Sequence, residues 1–143
     1  MKELFLLFVT SCYVWQLIRY DISKKKLNDR VTEFKSALVD IKGIIPNNFI
    51  YISMILLSLV VFIINYFAVT ISIDIIGGML IDYKDYIINI LVIFFIADIV
   101  KHSIVLRNNN MINILMKYEV YYHLLKISGL FLLYFYASLH ILF

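Results

Sequence analysis

The sequence predicts an all-α integral membrane protein with about four transmembrane helices, the first of them the weakest by length, and a cytoplasmic amphipathic helix. Three observations lead there. Of 143 residues, 63% are hydrophobic and 16% charged, against about 45–50% and about 25% in soluble domains. A soluble fold of this composition would run short of polar residues for its surface. The charges are also gathered into segments, leaving apolar runs on the scale of the about 20 residues that a spanning helix needs. Finally, one proline and four glycines allow few tight turns, which suits long helices. By length the chain is a single membrane domain, residues 1–143.

The first apolar run, residues 4–18, is uncharged. It spans, at about 3–19, only by recruiting Lys2 and Arg19 as snorkelling flanks or by sitting in thinned bilayer. Within it, Val9-Thr10-Ser11-Cys12 has the form of a lipobox, the tetrapeptide cut before a lipid-modified cysteine. Yet 11 residues precede Cys12 and the apolar run continues to Ile18, whereas a signal peptide takes about 15–30 residues and ends at its cleavage site. An uncleaved first helix is the expectation. Cys12, the single cysteine, has no intrachain disulfide to make and is silent on redox compartment.

A basic segment follows. Leu27, Val31, Phe34, Leu38, Ile41 and Ile45 are spaced 4, 3, 4, 3 and 4, the alternation of one helical face. Charged residues fill the positions between them. Asp21 or Ser23 suits the start as a cap, Gly43 suits a left-handed residue after the end, and Pro46 blocks continuation. The expected helix is about 23–42. Leu27, Val31, Phe34, Leu38 and Ile41 are its candidate contacts to lipid or to a partner.

No charge occurs from Gly43 to Ile73, which predicts a span at about 48–71. The next uncharged stretch, Tyr86 to Ala97, is interrupted by Asp98 and predicts a span at about 84–106. The last, Ile127 to Phe143, predicts one at about 122–142, fed by an interfacial helix after Arg107. The 11 tyrosines match the preference of amphipathic rings for membrane–water interfaces.

Lysine and arginine counts set orientation. Seven basic residues lie between the first two runs and four between the last two. Lys84 stands alone, among Asp74, Asp82 and Asp85, between the middle pair. The basic segments 19–47 and 107–121 are therefore expected on the cytoplasmic side of a membrane. A bacterial cytoplasmic membrane is expected, with an organelle inner membrane as the alternative.

The ionisable residues attached to a span are Asp98, Lys101 and His102, placed by i,i+3 and i,i+4 spacing on one helical face. Intramembrane ionisable groups are costly without a function or a partner, so this polar cluster is the candidate site. A local Asp98–Lys101 salt bridge near the cytoplasmic end is the plain structural explanation, and a proton relay or ion site the functional one. His123 and His140 stand apart, and no helix carries a metal-ligand spacing. No serine has an identifiable base, and Gly77-Gly78 is followed by no phosphate-loop lysine. Asn65 and Asn89 suit hydrogen bonds between helices.

No catalytic residue, metal or cofactor is therefore expected, and the chain does not read as an enzyme. A net charge of +3 is too small to suggest nucleic acid. The expected partners are the lipid bilayer and other membrane-protein subunits, in a homo- or hetero-oligomer. The functional expectation is a small polytopic membrane protein acting by association, as an accessory or structural subunit of a larger membrane complex. The alternatives are a holin-like oligomeric pore-former, on size and hydropathy alone, and a small ion or solute carrier using Asp98.

Overall fold

The computed structural model describes residues 1–19, 24–107 and 112–142, and among these the protein is all-helical apart from short turns, with no strand. The elements are α1 (Lys2–Arg19), α2 (Lys24–Ile44), α3 (Asn47–Ile76), the single turn α4 (Met79–Asp82), α5 (Lys84–Arg107) and α6 (Ile112–Leu142). Three stretches are long and apolar enough to cross a membrane: Asn47–Ile76, Lys84–Ile104 and Tyr121–Leu142. They are compatible with an integral membrane location. The 18-residue α1 is not among them, since Lys2, Glu3 and Arg19 all fall within its length.

Several boundaries differ from the expectation, each for a local reason. Gly43 lies inside α2 and is not left-handed, so it does not end the helix. Pro46 does, because it lacks an amide hydrogen and disfavours helical backbone in the residue before it. Its own carbonyl then accepts from Phe49 and Ile50 to open α3. The left-handed glycines are Gly77 (φ 63) and Gly78 (φ 57), where α3 stops and the chain turns into α4. Only glycine adopts consecutive positive φ angles without strain. α3 therefore runs five residues beyond the expected Ile71. The segment expected as a separate interfacial helix is continuous with the last span, forming the 31-residue α6. The caps expected at Asp21 and Ser23 lie outside the described residues.

α3 is the hub, packing on α5, α6 and α1, while α1 also lies along α6. Thr10 meets Ser138 and Tyr13 meets Tyr134, so α1 and α6 are antiparallel. α3 and α5 are antiparallel too, with Tyr51 beside Ser103 and Phe62 beside Phe95. The core gathers Leu6 and Val9 of α1, Ala68, Val69 and Ile73 of α3, Leu91 of α5, and Leu130, Tyr134 and Ala137 of α6. Ala68 and Ala137, both fully buried, are small enough to let helix backbones approach, as membrane helix packing favours.

α2 packs against α6, and its Leu38 is buried. Ile41 and Ile44 of the same helix are exposed, at 43% and 83%. Leu27, Val31 and Phe34 belong to α2 by backbone, and their side-chain surroundings lie outside the described residues.

Candidate functional site

Most polar side chains of the bundle interior form two groups; Ser72 instead donates to the Ala68 carbonyl of its own helix at 2.7 Å, and the Thr70 hydroxyl is buried without a partner among the described residues. The upper group joins three helices around Asn65 of α3. Its Oδ1 accepts hydrogen bonds from Tyr13 of α1 (2.5 Å) and Tyr134 of α6 (2.8 Å). Its own amide donates to the Val61 carbonyl at 2.8 Å. Donating back into its own helix holds the side-chain rotamer, so the amide oxygen points where both phenols reach it. The two tyrosine rings pack edge to face at 5.3 Å, a favoured aromatic geometry. One turn along α1, Thr10 and Ser138 share a hydrogen bond of 3.0 Å, while the Thr10 hydroxyl also lies 2.8 Å from the Leu6 carbonyl. Each hydroxyl is both donor and acceptor, so the group satisfies itself without water.

The lower group contains the residues singled out by sequence. Asp98 and Lys101 lie 3.8 Å apart on α5. The closer partner of Asp98, however, is Lys126 of α6, with Nζ 2.6 Å from Oδ2. The Asp98 and Lys126 side chains are 14% and 12% exposed, so the pair is largely removed from its surroundings. Lys126 is flanked by the rings of Phe94 and Tyr122, at 6.0 and 5.9 Å, within reach of cation–π attraction. The Tyr122 hydroxyl donates to the Phe94 carbonyl at 2.9 Å. His102 is placed against α3, with Nδ1 3.4 Å from Ser58 Oγ. Ser103 donates to Tyr51 at 3.0 Å.

The structure thus brings Asp98 and Lys101 together, adds Lys126, and sets His102 beside Ser58. The pairing with Lys126 is not among the sequence expectations. The available signal was an opposite charge inside each of two neighbouring spans, both toward the same end. Tyr13 and Tyr134 were also missed, because tyrosine in a span resembles interfacial tyrosine until its depth is known.

Between the two groups lies a small cavity, lined by Ser58 and Asn65 of α3, Asp98 of α5 and Lys126 of α6, with Phe62 and Phe95 among its walls. Its volume is about 10 Å3, enough for about one water molecule. Asp98 Oδ1 is buried without a hydrogen-bond donor. The arrangement can fasten α5 to α6 by charge, and α1 to α3 and α6 by hydrogen bonds.

Asn89, the other asparagine in an apolar stretch, has a different setting. It is exposed and has no side-chain hydrogen-bond partner among the described residues. Among the described His, Cys, Asp and Glu residues, no group of three is arranged to hold a metal ion. No family model, curated protein or solved structure matches this chain, so its function is read from this geometry.

Proposed function

We propose that the protein is a small polytopic membrane protein that works by association, as an accessory or structural subunit of a larger membrane complex. One observation carries this reading: the interior polar groups are spent on joining helices to each other, whereas the apolar outer face of α5 holds an unpartnered asparagine. A carboxamide in hydrocarbon is costly without a hydrogen-bond partner, and lipid tails offer none. An asparagine on such a face is satisfied when another helix docks there.

In this reading α3, α5 and α6 cross the bilayer and α1 completes a four-span bundle. About 27 Å long at 1.5 Å per residue, α1 falls just short of a hydrocarbon layer of about 30 Å. Its hydrogen bonds to α3 and α6 and its snorkelling ends offset the deficit. The basic segments around α2 face the cytoplasm of a bacterial cell, where lysines favour anionic lipid. α2 then lies at the surface with Leu38 against α6 and Ile41 and Ile44 toward lipid, an amphipathic element between protein and membrane.

The carrier reading is weaker on this geometry. Asp98 is neutralised by Lys126 and the adjoining cavity admits about one water. Purification from native membranes in mild detergent tests the proposal. A defined complex larger than the 16.9 kDa chain is expected. A protein that is monomeric in both detergent and bilayer would refute it, and membrane depolarisation on expression with large homo-oligomers would point to the pore-former.

A further inference from the structure

We infer that the outer face of α5 is a dimerisation surface, and that its occupant is the same face of a second copy of this chain, with Asn89 meeting Asn89. This rests on the association reading and names its partner.

The face is defined by what α5 turns inward. Leu91 is the buried residue of α5 among those described, and Phe95, Asp98 and His102 follow it at helical spacing toward α3 and α6. On the opposite side stand Tyr86, Asn89, Ile93, Ile96 and Val100, spaced 3, 4, 3 and 4. That alternation keeps one seam facing a partner helix over several turns. Tyr86, Ile93, Ile96 and Val100 are 68, 63, 54 and 50% exposed, and Asn89 is exposed among them. No charge lies on α5 between Asp85 and Asp98, so the seam offers nothing to a partner recognised by charge.

Two properties select a second copy. Copies inserted in one membrane share an orientation, so a two-fold axis along the membrane normal pairs α5 with α5 in parallel and in register. Each seam residue near the axis then meets its own counterpart, as an isologous interface requires. A carboxamide carries both donor and acceptor, so Asn89 satisfies Asn89 reciprocally. A lone donor or a lone carboxylate at that position would not pair with itself. Asn89 lies five residues from the middle of the Lys84–Ile104 stretch, about 7.5 Å along the axis, and so within a hydrocarbon half-thickness of about 15 Å. Water does not compete there.

The test uses the full chain with Cys12 replaced by serine, reconstituted in phosphatidylcholine–phosphatidylglycerol vesicles. Single cysteines are placed at Ile93, Ile96 and Val100, which leave Asn89 in place, with Leu132→Cys of α6 as an exposed control (65%). Oxidation is expected to give disulfide-linked dimers at the α5 seam and background at Leu132→Cys. In the cysteine-free chain, energy transfer between labelled copies should show Asn89→Leu dimerising about 3- to 30-fold more weakly, with Asn89→Gln retaining most of the affinity. The proposal is overturned by seam cross-linking no greater than at Leu132→Cys, or by dimerisation indifferent to Asn89→Leu. If copies associate with no dependence on the seam, the α5 surface fails while the association reading stands. If no association is seen in vesicles or native membranes, both fail.

Discussion

Asn65 is the residue on which three helices converge, and its chemistry explains why the position takes an amide. Its Oδ1 accepts from Tyr13 and Tyr134 while its amide donates to Val61. Asn65→Leu keeps the approximate volume and leaves two buried phenols without an acceptor. Each unsatisfied group costs about 1–3 kcal/mol, so a clear loss of unfolding free energy in lipid–detergent mixtures is expected. Tyr134→Phe removes one donor and leaves Asn65 bonded to Tyr13, so its cost should fall in the range of about 0.6–2 kcal/mol for membrane hydrogen bonds. Equal costs for the two variants would show that the amide is not the shared acceptor. The Asp98–Lys126 pair follows similar logic with charge. Asp98→Asn leaves Lys126 without its carboxylate and should cost about 3–5 kcal/mol, Lys126→Met should cost less because Lys101 stays 3.8 Å from Asp98, and the double variant should recover part of the larger loss. A double-mutant cycle measures the coupling, and purely additive losses would mean that the pair makes no contribution of its own.

At the scale of elements, three long apolar helices were legible because a membrane reduces the problem to a count along the chain. The runs without charge that begin at Gly43, Tyr86 and Ile127 overlap α3, α5 and α6. Lateral relations were not legible in the same way. A helical wheel offers Asp98 the partners at i+3 and i+4, Lys101 and His102, but Lys126 is 28 residues away and reaches it only through the rotation of α6 against α5. Asn65 and Asn89 looked equivalent in sequence, since each is an asparagine within an apolar run. Packing turns one into the bundle and the other out of it. Gly43 misled for a related reason: glycine permits a helix end without requiring one, and Pro46 supplied the break three residues later. The seating of α2 gives an element-scale prediction. Leu38 is 5% exposed, so Leu38→Glu should lift α2 from α6 and speed tryptic cleavage within its lysine-rich stretch in membrane vesicles. Ser36→Glu, at an exposed position, should leave the cleavage rate unchanged. Equal rates in both variants and the parent would contradict a protein seat for α2.

At the scale of the whole molecule, two interior polar groups bind the helices together, while the outer faces of the long helices are mainly apolar, with Asn89 among the few exposed polar residues. On the association reading proposed above, the specificity of such a molecule lies in what it packs against: lipid, its own copies or other subunits. The most direct test of association between copies through α5 is single-molecule photobleaching of the labelled full chain in lipid bilayers over a wide range of surface densities. A population bleaching in two steps, growing with density and reduced by Asn89→Leu, is the predicted result. Single-step bleaching at every density would contradict it.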